Sequence, residues 1–175
     1  MDLQDLYHSR KLTKVMETGR SQERVTSALS TLNAVYDSFS VHQTSMSVDR
    51  DTYEHVAQHC ERGVIEADVK VRHDKGVLVL ETDGVRRMPH GPIEAGDESI
   101  EAGARRLVKD LTGVTCDIID LASANIVGIH DTSGPDREPV YRLSALFEAI
   151  YKTGELDECA TWHTTKPPLV THCER

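Results

Sequence analysis

Gly91-Pro92-Ile93-Glu94-Ala95-Gly96-Asp97-Glu98-Ser99-Ile100-Glu101-Ala102-Gly103-Ala104-Arg105-Arg106-Leu107-Val108-Lys109-Asp110-Leu111-Thr112-Gly113-Val114 divides into a loop and a helix. Residues 91–98 read as the loop. Beyond them Ile100, Ala104, Leu107 and Leu111 recur at i, i+4, i+7 and i+11, which is one face of a helix. The helix is expected from about Ser99 to Leu111, with Gly113 ending it because glycine accepts the left-handed conformation that closes helices. Leu107 and Leu111 stand one turn apart and stack on the same face.

Working outward, the period changes from helix to strand. Val69 and Val71, then Val77-Leu78-Val79-Leu80, read as two strands joined by a turn at His73-Asp74-Lys75-Gly76. Ile118 to Ile129 contains strand-like runs, Ser133-Gly134-Pro135-Asp136 is a turn, and Val140 to Tyr151 has strand character. Trp162 falls in a last short strand before Pro167-Pro168. Toward the N-terminus, a short helix is expected from Asp49 or Arg50 to about Glu61, stopped at Gly63. His42 to Ser47 reads as a polar stretch. Val25, Leu29, Leu32, Tyr36 and Phe39 mark a helical stripe with Ser21 as its N-cap. Leu3, Leu6, Leu12, Val15 and Met16 mark another that ends near Gly19. The two stripes form a hairpin that packs on the main domain or pairs with a second copy as a homodimer. No internal repeat interrupts this order. It is an α+β pattern, with residues 1–46 a helical extension, 47–168 the main domain and 169–175 a tail.

Composition narrows the function classes. The chain has 175 residues, 38% hydrophobic and 28% charged, as soluble globular proteins do. It has 29 acidic against 20 basic residues and a net charge of −9. That balance argues against nucleic-acid binding through a basic surface. The absence of a long apolar run or a signal-like start leads to a cytoplasmic expectation. Cys60, Cys116, Cys159 and Cys173 include no C-x-x-C pair and read as reduced thiols. His55 and His59 sit four apart beside Cys60, and His172 adjoins Cys173, but no pair has structural zinc spacing. His90 and His130 read as ordinary histidines that also lie within reach of the loops near residue 91.

With those residues in place, segment 91–114 resembles the Nudix box, whose order is Gly, five residues, Glu, seven residues, then Arg-Glu-U-x-Glu-Glu-x-Gly-U, with U a bulky aliphatic residue. Anchored on Gly113-Val114, the match puts Arg106 on the arginine, Val108 on the first U and Glu98 on the first glutamate. The loop from Gly91 to Glu98 is then one residue too long, an insertion that a loop tolerates cheaply. Met88-Pro89-His90 looks like the strand end leading into the box. The segments 77–80, 140–149 and 154–162 resemble the flanking strands, acidic stretch and tryptophan. The resemblance implies an α+β Nudix-like mixed sheet flanked by helices, over roughly residues 64–168.

What the resemblance implies for function is divided. Nudix helices supply glutamates that hold Mg2+ or Mn2+, which activate water against a nucleoside diphosphate linked to another moiety. Those glutamates would fall here on Leu107, Asp110 and Leu111, so Asp110 alone keeps a carboxylate. An ungapped register, with Asp97 on the first glutamate and Arg105 on the arginine, also leaves one. The candidate catalytic residues are Glu98 and Asp110, the metal set is Asp110, Glu98 and Glu101, and Gly91, Arg106 and Gly113 are structural. Glu98 is expected to pair with Arg106. Glu94, Glu138, Glu155, Asp157 and Glu158 are the acids left to compensate, and Glu101 and Asp110 also read as solvated helix charge. Two functions follow: a divergent pyrophosphohydrolase using Mg2+ or Mn2+, or a catalytically silent Nudix module binding a nucleotide-derived small molecule or a protein partner.

Overall fold

A computed structural model describes residues 20–94 and 96–164. Helix α1 occupies 20–35, and strand β1 (Ser40–Val48) leads to helix α2 (Arg50–Arg62). Four strands follow: β2 (Ile65–His73), β3 (Gly76–Thr82), β4 (Val85–Arg87) and β5 (His90–Pro92). Then come helix α3 (Ile100–Thr112), β6 (Thr115–Asp131), β7 (Val140–Thr153) and β8 (Ala160–His163). The strands make one sheet in the order β1-β6-β7-β2-β3-β4, with β5 added to β2 and β8 to β3. Pairings β1–β6 and β2–β7 are parallel and the others antiparallel. The architecture is therefore α+β, a mixed sheet flanked by helices.

Local chemistry explains the boundaries. Asp49 caps α2, its carboxylate accepting the Thr52 N–H at 2.8 Å. The β3–β4 turn is Asp83-Gly84, both with positive φ, as a two-residue hairpin turn demands. Along β7, Leu143, Ala145, Phe147 and Ala149 are buried, while Arg142, Ser144, Leu146 and Glu148 between them are half-buried. This period of two places one side of the strand in the core. The expected helices at 49–61 and 99–111, the 73–76 turn and the strands around 69–80, 118–129, 140–151 and 162 all have counterparts in these elements.

Three local expectations are corrected. His42 to Ser47 lies inside strand β1, not in a polar connection. β1 pairs only with β6 among the described strands and is exposed over most of its length, so neither side needs an apolar pattern. Ser21 is not an N-cap: residue 20 is already helical, and the buried Ser21 hydroxyl accepts the Tyr141 N–H at 3.1 Å. Phe39 lies past the end of α1. The stripe Leu3–Met16, the turn at Gly19 and the segment from Pro167 onward lie outside the described residues.

Helix α1 belongs to the same core as the sheet. Val25 and Leu32 are buried in one cluster with Val69, Leu143 and Phe147. The Tyr36 ring stands 6.2 Å from that of Phe147, and the Arg24 guanidinium donates to the last carbonyls of α2, Cys60 O and Glu61 O, at 3.0 and 2.9 Å. No helix among the described residues is long and apolar enough to cross a membrane. At the far end of β6, the Asp131 carboxylate is shut from solvent. Its Oδ1 accepts from the Ser133 N–H and hydroxyl, and its Oδ2 lies 3.2 Å from Arg137. Burial alone would raise its pKa, but these hydrogen bonds and the charges of Arg137 and Arg50 outweigh that and lower it.

Leu32 is 1% exposed, so Leu32→Ala is expected to destabilise the whole domain by about 2–5 kcal/mol, the range for core leucine truncation. Urea denaturation followed at α1 and at Trp162 should show one shared transition. Separate transitions, with Trp162 unaffected, would mean that α1 is an appendage.

Candidate functional site

Helix α3 is set at both ends by its own sequence. The Ser99 hydroxyl accepts the Ala102 N–H at 3.0 Å, and Gly113 closes the helix in the left-handed conformation, φ 81°. Lys109 reaches forward one turn to the exposed carbonyl of Gly113 at 2.7 Å. Gly103, Ala104, Leu107, Val108 and Thr112 form the buried face.

Leu107 is 6% exposed and closes on strand β5. A Cβ placed on Gly91 would lie 2.6 Å from Leu107 Cδ1, so Gly91 is needed there for space. Leu111, one turn on, is 37% exposed and stands at the rim. The two leucines thus share a face without sharing burial.

Arg106 organises the loop, but its partner is Asp97 and not Glu98. Arg106 Nε and Nη2 donate to the two Asp97 oxygens at 2.8 and 3.0 Å, a forked pair, and Nη2 also reaches Pro92 O at 3.4 Å. Asp97 Oδ2 accepts the Glu94 N–H at 2.8 Å, which closes the loop on itself. Glu98 is exposed one residue further on. Asp97 thus takes the pairing role that the sequence resemblance gave to Glu98, and in terms of that resemblance the extra residue lies between Asp97 and the Ser99 cap. There the chain is not yet helical and no later side chain is rotated. Hydrogen bonding to Arg106 is the main cause that holds the Asp97 carboxyl below its ordinary range, and the same contact keeps the guanidinium charged.

The proposed metal carboxylates do not converge. Asp110 is 61% exposed and leans on Arg106 at 3.4 Å. Glu101 Oε1 accepts the Tyr36 hydroxyl at 3.0 Å. The later acids lie at the C-terminal end of the helix, where Asp110 also stands: the Asp157 N–H donates to Thr112 O at 2.9 Å, and Glu155 O lies against Gly113. The helix, 13 residues long at ~1.5 Å per residue, therefore keeps Glu98 and Glu101 at its start beyond one ion's reach of Asp110 and these acids at its end. Glu138 belongs to the 132–139 turn, where its carbonyl accepts the Tyr53 hydroxyl at 2.7 Å. Among the described residues no group of three or more His, Cys, Asp or Glu is placed to hold a metal. Mg2+ and Mn2+ want several oxygens in one place, and the residues of α3 do not fit them.

His90 stands beside carboxylates of β2, with Nδ1 3.1 Å from Asp68 Oδ1 and Nε2 3.7 Å from Glu66 Oε2. His130 is half-buried in β6. Cys60 and Cys116 are buried, and burial pushes both thiols up to about 11.

Two concavities border α3. One, of about 620 Å³, lies between α1, the end of α2 and the start of α3, with Ala28, Val35, Ile93 and Ile100 among its walls and Glu94 and Glu98 on it. The other, of about 590 Å³, runs along the other flank and is lined by Arg105, Arg106, Lys109 and Lys152, with Thr115 and Thr153. The sequence reading missed this basic flank. Lys152 and Thr153 are far from α3 in the chain, and only the β6–β7 pairing brings them beside it.

Neither a protein-family profile nor a curated protein matches the sequence. Among solved structures the chain is similar to a UDP-X diphosphatase, at 14% identity over 63% of this chain and 54% of that one, TM-score 0.42. It is similar to an ADP-ribose pyrophosphatase from Streptococcus suis, at 13% identity over 61% of this chain and 78% of that one, TM-score 0.41. A NUDIX hydrolase from Nitrosomonas europaea is similar at 20% identity over 57% of this chain and 71% of that one, TM-score 0.41. The chain thus spans little more than half the length of the first of these. Likenesses at this distance say nothing of activity.

Asp97→Ala is expected to lower stability by about 1.5–3 kcal/mol, the range for a hydrogen bond to a charged group, whereas Glu98→Ala stays within about 0.5 kcal/mol. Because the folded pKa of Asp97 is depressed, its contribution is present at neutral pH and fades as pH falls through that value. Denaturant midpoints at pH 7 and below pH 4 check this. The gap between wild type and Asp97→Ala should narrow in acid, and an equal effect of Glu98→Ala would restore Glu98 as the anchor.

Proposed function

We propose that this chain is a Nudix-type module that binds a nucleotide-derived, phosphate-bearing ligand without hydrolysing it. The observation that carries this reading is Leu107. At the position where the resemblance implies a metal-binding glutamate, its isobutyl group is buried against Gly91. Leu111 stands at the second such position, and the remaining carboxylate, Asp110, faces water beside Arg106. A hard divalent cation needs convergent oxygens, and methyl groups offer none. Metal-activated hydrolysis is therefore not what this helix is built for.

The ligand class is supported by the other flank of α3. In a chain of net charge −9, Arg105, Arg106, Lys109 and Lys152 line one concavity, with Asp117 the acid among them. Arg106 is committed to Asp97, Lys109 to Gly113 O and Lys152 to Asp117 at 3.2 Å. Arg105 is exposed and presents its planar fork to the groove, suited to two phosphate oxygens at once. The Thr115 and Thr153 hydroxyls, hydrogen-bonded to each other at 2.7 Å, form a polar part of the same wall.

The test is to incubate the full chain with ADP-ribose and with a UDP-sugar in the presence of Mg2+ or Mn2+, following product release and, in parallel, binding by calorimetry. Saturable binding without turnover, weakened by Arg105→Ala, is the expected outcome. Metal-dependent turnover that Asp110→Ala abolishes would contradict the proposal and establish the divergent hydrolase, with Glu98 or Glu101 as further ligands.

A further inference from the structure

Helix α2 presents two imidazoles that nothing so far uses. His55 and His59 are four residues apart, one helical turn, and both are exposed. Their rings meet edge to face with centroids 4.5 Å apart and planes at 65°. Neither ring has a hydrogen-bond or ion-pair partner among the described residues. The opposite side of the helix holds it in place. Tyr53 and Cys60 are buried, the Tyr53 hydroxyl is tied to Glu138 O at 2.7 Å, and Arg24 grips the last carbonyls. The backbone beneath the two rings is therefore fixed, and only their side-chain torsions remain to be set.

We propose that His55 and His59 chelate one late first-row divalent cation, of the class Ni2+, Cu2+ or Zn2+, on the exposed face of α2. Two histidines at i and i+4 on one helix place their ring nitrogens around a common point. Nitrogen–metal bonds of ~2.0–2.1 Å bring such nitrogens to roughly 3 Å from each other. Rings already in contact at 4.5 Å reach that arrangement by turning about their own side-chain bonds. Imidazole suits these metals, whereas Mg2+ and Ca2+ take oxygen ligands. Cys60 adjoins the pair in sequence but is no third ligand, since it is buried and its Sγ lies 3.9 Å from Tyr141 O, on the core side. Water fills the remaining positions, so the site is open and exchangeable. Bridging successive turns, the ion stabilises α2 and raises the stability of the fold that α2 helps to build. The site lies on α2 and does not depend on the ligand reading of α3.

The experiment titrates NiCl2, ZnCl2 and MgCl2 into the full chain in a non-coordinating buffer, for wild type, His55→Ala and His59→Ala. Calorimetry and thermal unfolding are both recorded, with circular dichroism as a control for folding. Both side chains are exposed, so the variants are expected to fold. Wild type should bind one equivalent of Ni2+ and Zn2+ and melt higher with either, and Mg2+ should do neither. Each variant should lose at least the roughly 10–100-fold in affinity that removing even an outer-shell partner costs, together with the rise in melting temperature. No saturable binding by wild type overturns the proposal. So does wild-type affinity in both variants, which would place the metal on other histidines.

Discussion

Burial of Ala104, Leu107 and Val108 against the sheet fixes where every charged group of α3 stands. With that face inward, Arg105, Lys109 and Asp110 must point to solvent, and Arg106 is left at the edge, where it meets the 93–99 loop. Gly91 permits the approach, because any Cβ there would collide with Leu107. An apolar contact thus stands where the resemblance implies a carboxylate. A glutamate at 107 would need a partner or an ion to compensate its burial, and leucine needs neither.

The acids around α3 serve the fold. Asp97 clamps the loop through Arg106, Glu101 receives the hydroxyl of Tyr36, the residue just after α1, and Asp49 caps α2. Asp131 ties the 131–137 turn through Ser133 and Arg137. Burial, and then the bond to Glu101, raise the pKa of Tyr36, which keeps that phenol a donor. A carboxylate committed to a buried donor is poorly placed to rotate toward an ion. This is why counting acids near the box overstates what the site can do.

Much of the architecture could be read directly. The 3.6-residue stripe of α3, its Gly113 stop, helix α2 ending before Gly63 and the β2–β3 turn all follow from period and turn chemistry. Leucine at 107 and 111, one turn apart on one face, is likewise read directly from the residues. Four things were not. β1 has no alternation to read, because an edge strand exposed along both sides imposes none. The choice of Asp97 over Glu98 depends on whether the extra residue precedes or follows the carboxylate, and only the path of the loop decides that. Ser21 resembles a cap in sequence, but its hydroxyl serves a strand 120 residues away. The basic flank is invisible for the same reason, being assembled by pairing of distant strands.

The most direct test of the account is a crystal structure of the full chain grown with Mg2+ and a nucleoside diphosphate derivative. Phosphate density is expected beside Arg105, Lys109 and Lys152, with Leu107 still packed on Gly91 and no ion at Asp110. Density for Mg2+ joining Asp110 to a phosphate, with Glu98 or Glu101 turned to complete its shell, would contradict it.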